Sequence, residues 1–227
     1  MSVADPTVAA PFLRVTEIFH SVQGESTWAG LPCTFVRLTG CPLRCVWCDT
    51  AYAFHGGERM TLDSIVERAR AWRTSRGTTL VEVTGGEPLA HPNALPLVER
   101  LLDDGFTVLV ETSGAFDVAG VDPRAHRIMD LKCPGSGESA RNLWSNLRHL
   151  TVTDEVKFVL ADRADYEWAR DVVREHRLDR RCEVLLSTVH GRLAPADVAR
   201  WMLEDGLDVR FQLQLHKVIW DPEARGV

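Results

Sequence analysis

Apolar and polar positions along this chain follow two rhythms, and each change of rhythm marks a boundary between a strand and a helix. Residues 15–22 alternate enough for a strand, which runs into a polar turn, Gln23-Gly24-Glu25. Residues 33–39, C-T-F-V-R-L-T, alternate again and carry β-branched side chains. From 61 to 74 the spacing becomes helical, with Leu62, Ile65, Val66 and Ala69 on one face behind the opening Thr61-Leu62-Asp63-Ser64. Strands are then predicted at 80–84, 106–111, 127–132, 155–160, 182–187 and 208–215, with helices at 93–103, 139–147, 163–176 and 194–204. Pro195 suits the first turn of the last helix, where a missing N–H does no harm.

The run at 106–111 is continuously apolar, so both its faces are expected to be covered. Strands of this kind alternating with helices predict an α/β chain with a parallel sheet. Ligands of such sheets gather at the carboxyl ends of the strands, where Glu111 falls. In the last predicted strand, period two puts Gln212, Gln214 and His216 on one side, facing either a ligand-filled cavity or solvent. Lys157 points either to the site or to solvent. Residues 1–13, small and Pro-bearing, read as a frayed lead-in.

Composition narrows this picture. With 227 residues, 45% of them hydrophobic, the chain suits one domain spanning 1–227. It is shorter than the roughly 250 residues of a full eightfold β/α barrel, so any barrel is expected to be incomplete. A formal charge of -6 argues against nucleic acid as the main partner. Residues 1–12 lack the basic opening and apolar core of a signal peptide, and no apolar run approaches the roughly 18 residues of a membrane span. The expected location is the reducing cytoplasm, away from membranes.

Chemistry concentrates in the run Gly40 to Thr50, G-C-P-L-R-C-V-W-C-D-T. Cys41, Cys45 and Cys48 stand in the spacing C-x3-C-x2-C within one short loop. A structural zinc ordinarily takes four protein ligands, and His55 is the nearest further candidate. A disulfide with a spare thiol is the plainer alternative, which a reducing compartment disfavours. An iron-sulfur cube on three thiolates instead leaves one iron open to a small chelating molecule. Cys33 and Cys182 read as buried small hydrophobes, and Cys133 as a loop residue.

The three-cysteine loop, with Trp47 just before its last cysteine and Thr84-Gly85-Gly86-Glu87-Pro88 downstream, resembles the radical S-adenosylmethionine (SAM) enzymes. Within them, Gln23-Gly24-Glu25, Cys48-Asp49-Thr50 and Gln214-Leu215-His216-Lys217 make it similar to the 7-carboxy-7-deazaguanine synthases over nearly the whole chain. The resemblance implies an incomplete (β/α)6-like radical SAM barrel, a [4Fe-4S] cluster on Cys41, Cys45 and Cys48, and SAM chelated at the open iron. It implies SAM contacts from Trp47, Cys48, Asp49, Gly85, Gly86, Glu87, Asp130, Lys132 and Ser187. It also implies conversion of 6-carboxy-5,6,7,8-tetrahydropterin to 7-carboxy-7-deazaguanine with loss of ammonia, in queuosine and deazapurine biosynthesis. Flavodoxin or ferredoxin as electron donor and a homodimer belong to the same expectation.

Substrate contacts implied in this way are Val22, Gln23, Gly24, Arg37, Thr84, Glu111, Gln214 and His216, with magnesium on the hydroxyl of Thr50. Read from the residues alone, several have a structural alternative. Arg37 could pair with an acid or clamp a carboxylate through its planar fork. Thr50 could cap a helix, Glu111 could form a salt bridge or accept from an aminopyrimidinone edge, and Gly85-Gly86 could make an ordinary β-turn. Residues 225–227 are expected to fold back near the site. Asp130-Leu131-Lys132 stands where close members of the family carry Ser-Pro-Lys, and is nearer the D-L-K of glycyl-radical activating enzymes. An activating enzyme is therefore the alternative function, and a zinc-binding module a more distant one.

Overall fold

The computed structural model of the chain describes residues 10–227. Most of the frayed lead-in expected at 1–13 lies outside the described residues. Its last residues are ordered, since the first strand, β1 (Phe12–Val22), already begins at Phe12 and buries Leu13 and Val15 on one side. β2 (Pro32–Leu38) pairs antiparallel with β1, and so on its other edge does β3 (Glu58–Thr61), a short strand that the hydrophobic pattern does not announce.

From β2 onward every neighbour is parallel: β4 (Leu80–Gly85), β5 (Thr107–Thr112), β6 (His126–Asp130), β7 (Glu155–Leu160), β8 (Glu183–Thr188) and β9 (Arg210–Phe211). The result is one nine-stranded sheet in the order β3-β1-β2-β4-β5-β6-β7-β8-β9. β3 and β9 stand at its two edges, so the barrel is not closed, as the chain length led us to expect.

Four helices cross over between parallel strands. α1 (Leu62–Arg76) buries Leu62, Ile65, Val66 and Ala69, the face read from the spacing. α2 (Ala94–Asp103), α3 (Arg163–His176) and α4 (Pro195–Asp205) follow. Asp162 caps α3 by accepting from the Asp165 N–H at 3.0 Å, and Pro195 opens α4. The outward positions of the strands, among them Val36, Val83, Val110, Met129, Phe158 and Leu186, meet these helices in the main core.

Two predicted elements differ. The helix expected at 139–147 is broken into two pieces of 3-10 helix, Ser139–Arg141 and Trp144–His149. The reason is local: Asn142 exchanges hydrogen bonds with the backbone of Lys132, and the Asn146 amide bonds the carbonyls of Gly114 and Phe116. Side chains that bond to distant backbone hold the chain out of a regular helix. The strand expected at 208–215 pairs over only Arg210–Phe211, after which the chain leaves the sheet and starts a short helix, α5 (His216–Ile219). No helix among the described residues is long and apolar enough to cross a membrane.

Candidate active site

The inward positions of the parallel strands change character along their length. Towards the amino ends, Cys33 and Phe35 of β2, Leu80 of β4, Leu109 of β5 and Ile128 of β6 pack with Phe19 and Trp28 into an apolar plug. Two residues or so further along each strand stand Arg37, Glu82 and Thr84, Glu111, Asp130 and Lys157. These line a cavity of about 670 Å³ at the carboxyl ends of the strands.

One side of the cavity is the cysteine loop. Cys41, Cys45 and Cys48 all face it, and all three are free thiols. The loop is fixed by its neighbours: Arg44 donates to the carbonyls of Cys41 (2.7 Å) and Leu43 (2.6 Å), and the Val46 N–H to the Ser136 carbonyl (3.0 Å). The turn after β4 lies directly on it, with the Glu87 N–H donating to the Gly40 carbonyl at 2.9 Å. A Cβ on Gly86 would collide with that same carbonyl, and one on Gly85 with the backbone of Leu38. Both glycines are therefore required by close backbone approach, whatever else the turn binds.

The donor set fits an iron-sulfur cube. Among the described residues no three His, Cys, Asp or Glu side chains converge on a single-ion site, and His55, the candidate fourth zinc ligand, is exposed and outside the cavity. Burial pushes the Cys45 thiol up to about 11 and raises that of Cys41, so these thiols give up protons when a metal centre binds. The Lys132 ammonium sits near Cys45 and is paired with Asp130 at 2.8 Å. Thr50 lies at the start of a 3-10 turn (Ala51–Phe54) but makes no capping bond. Its hydroxyl, 3.7 Å from Cys48 Sγ, faces the cavity instead.

The opposite side is a set of buried charges. Lys157 donates to Glu25 at 2.8 Å and to Glu111. Burial alone would raise the Glu111 pKa, but Lys157 and the Thr84 hydroxyl hold it down to about 2. Glu82 goes the other way: burial, then the nearby charge of Glu111, raise it well above the usual carboxylate range, and it pairs with the Gln23 amide. Arg37 pairs with an acid and keeps part of its fork free. Its Nε donates to Glu17 at 2.8 Å, while its two terminal nitrogens have no hydrogen-bond partner among the described residues.

Most residues expected at the site meet here. Val22, Gln23, Gly24, Trp47, Asp49, Gly85, Gly86, Asp130, Lys132, Gln214 and His216 all line the cavity. Gly24 lets the His216 ring pack against bare backbone, where a Cβ would collide with its Nδ1. Residues 225–227 line it too, and Arg225 stacks on Tyr52. Two expected SAM contacts do not face the cavity. Glu87 is fully buried, accepting from the Thr112 hydroxyl (2.9 Å) and the N–H groups of Ser113 (2.6 Å) and Leu89 (2.8 Å). Ser187 is buried in β8. Gln212 is buried too, outside the cavity and without hydrogen-bond partners for its amide among the described residues, because the strand that was to align it with Gln214 ends at Phe211. Sequence alone assigned Glu25, Tyr52 and Glu82 no site role and left Lys157 open between the site and solvent; the structure turns Lys157 to the cavity. For Glu82 and Lys157 the available signal was a charged residue at an inward position of an otherwise apolar strand.

Comparison with known proteins agrees with this geometry. The model of the radical SAM superfamily matches residues 35–133, from β2 past the cysteine loop to the end of β6. A 7-carboxy-7-deazaguanine synthase of Koribacter versatilis is 46% identical, the match covering 95% of this chain and all of that one. One from Chlorobaculum tepidum is also 46% identical, over 95% of this chain and 97% of the relative. The crystal structure of QueE from Escherichia coli superposes with a TM-score of 0.71 at 25% identity, covering 90% of this chain and 95% of that one. On these identities and coverages, the chain belongs to the 7-carboxy-7-deazaguanine synthase family of radical SAM enzymes.

Proposed function

We propose that this chain, acting as a single radical SAM domain, contracts the ring of 6-carboxy-5,6,7,8-tetrahydropterin to give 7-carboxy-7-deazaguanine and ammonia, a step towards queuosine and other 7-deazapurines. The observation that carries this reading is one cavity with three free thiols on one side and lysine-paired carboxyl groups beside a guanidinium on the other. When bound, the [4Fe-4S] cluster and SAM supply the electron and the adenosyl carbon that takes hydrogen from carbon 6 of the pterin.

The chain's own residues bind and orient. Cys41, Cys45 and Cys48 hold the cluster, and SAM lies along Trp47 to Asp49, the Gly85-Gly86 turn and the Asp130–Lys132 pair. Glu111 and Glu25 accept N–H groups of the aminopyrimidinone edge. The free nitrogens of Arg37 take the substrate carboxylate. The Thr50 hydroxyl would contribute one oxygen to a magnesium ion, a hard cation that prefers oxygen ligands. Gln214 and His216 cover the ligand and, with residues 225–227, keep water out.

A reductant is required, for which flavodoxin or ferredoxin is the proposed donor. The exposed Leu213, Val218 and Ile219 beside edge strand β9 are the apolar surface that a second copy would cover in a homodimer. The activating-enzyme alternative has no use for Arg37, Glu111 or the Thr50 hydroxyl. Incubating reconstituted, reduced protein with SAM, magnesium and the carboxytetrahydropterin under anaerobic conditions is expected to yield 7-carboxy-7-deazaguanine by mass. Formation of 5'-deoxyadenosine alone would reject the pterin assignment.

A further inference from the structure

The ammonium of Lys157 lies behind the two carboxylates that face the cavity. Its side chain is 5% exposed, against 19% for Glu25 and 29% for Glu111. It donates to one oxygen of each. The remaining oxygens accept from the Gln214 amide (3.0 Å, on Glu25) and the Thr84 hydroxyl (3.1 Å, on Glu111). Each of the four carboxylate oxygens therefore takes one hydrogen bond from the protein and keeps a second lone pair for a ligand.

Two half-buried carboxylates held this close repel each other, and without the ammonium a proton taken up by Glu111 would cost it acceptor capacity. Glu82 supplies a contrast within the same cavity. It is buried beside Glu111 without an ammonium on it, and its pKa is driven up until it pairs with the neutral Gln23 amide. The trio is assembled from three distant parts of the chain, Glu25 after β1, Glu111 on β5 and Lys157 on β7. No short motif would reveal it.

We propose that Lys157 is a positioning residue whose buried ammonium holds the carboxylates of Glu25 and Glu111 convergent on the cavity, so that the cavity selects a neutral ligand edge carrying several N–H donors. This rests on the pterin reading of the same site and goes beyond it by naming what makes the carboxylates able to select. The other charged or titratable groups around the trio are Glu82, Arg37, Asp130, His216, Asp49, Lys132 and Glu155. The Lys157 charge also acts on Glu82, His216, Asp49, Lys132 and Glu155, so the test compares variant with parent at each pH and repeats the comparison in Lys157→Arg, which keeps that charge.

The probe is 6-carboxypterin, an oxidised and unreactive analogue, titrated by fluorescence into reconstituted holoenzyme with SAM and magnesium but no reductant. Lys157→Met keeps the length and apolar stem of the side chain. Its affinity is expected to be weaker than the parent's by roughly thirtyfold or more at neutral pH, because two half-buried carboxylates lose the ammonium that pairs them. The ratio between the two narrows as pH rises from about 6 to about 8 and the proton taken up by Glu111 leaves. Lys157→Arg, which keeps the charge, stays within about threefold. Lys157→Met binding like the parent at every pH, or a loss that pH does not alter, would overturn the proposal.

Should Lys157→Met not fold, the charge-balanced Lys157→Met/Glu111→Gln protein carries the test. With one carboxylate left it should bind weakly, in constant ratio to the parent across that pH range, and parent-like affinity would count against the proposal. A parent protein that does not bind 6-carboxypterin at all would retire the pterin reading and this proposal together. Parent binding with an unmoved Lys157→Met would retire this proposal alone.

Discussion

The two sides of the cavity are built in opposite ways. The thiol side is local: Cys41, Cys45 and Cys48 come from one loop and are braced by turns that follow strands β4 and β6. The carboxylate side is distributed, with Gln23 and Glu25 after β1, Arg37 on β2, Glu82 on β4, Glu111 on β5, Lys157 on β7 and Gln214 after β9. A local ligand set can be read from spacing, since the same few residues bring all the donors. A distributed one exists only once the sheet has placed its strands in register, so its members look like isolated charges in apolar strands.

The difference also separates their chemistry. In the function proposed above, the thiol side serves the chemistry common to radical SAM enzymes, while the carboxylate side decides which molecule is acted on. Loss of one cysteine should therefore remove everything. Replacing Cys41, Cys45 or Cys48 by Ala is expected to bring both SAM cleavage and product to background in an anaerobic assay. Retained turnover with a full iron and sulfide content would break the assignment.

Glu111→Ala should divide the two sides. Product formation per unit substrate is expected to fall by roughly thirtyfold to several thousandfold, the range for truncating one partner of a buried charge pair at about 2–5 kcal/mol. SAM cleavage without product should persist. If cleavage fell with product, the sides would not be separable.

Glu87 joins the two, because it ties the glycine turn on the cysteine loop to the end of β5. Glu87→Gln is expected to cost about 1–3 kcal/mol of stability, seen in denaturant unfolding, since the amide nitrogen meets N–H and hydroxyl donors it cannot accept from. Unchanged stability with weakened SAM binding would restore Glu87 as a direct contact. The smallest effect is expected at Thr50. Thr50→Ala should raise the magnesium concentration for half-maximal rate by roughly tenfold and leave SAM cleavage intact.

The same contrast accounts for how far the sequence could be read. Elements with their own signals came through: α3 behind Asp162, α4 behind Pro195, and the continuous apolar strands that make a parallel sheet. Elements that depend on distant partners did not. The segment at 139–147 is shaped by Asn142 and Asn146 reaching other backbone, and the chain after Phe211 leaves the sheet so that the Leu215 N–H can donate to the Gly24 carbonyl at 2.8 Å. Within the site, the three cysteines stand together in one loop and their grouping was legible from spacing alone. Lys157 and Glu82 required knowing which face of a strand looks inward, and Glu87, placed in the motif by resemblance, turned out to brace the motif from behind.

The most direct test of the account is whether the two sides work on one molecule across one cavity. Substrate carrying deuterium at carbon 6 should pass its label to the adenosyl carbon, so that deuterium is recovered in SAM or in 5'-deoxyadenosine. Label appearing in solvent while 7-carboxy-7-deazaguanine accumulates would mean that the thiol side and the carboxylate side do not meet as described.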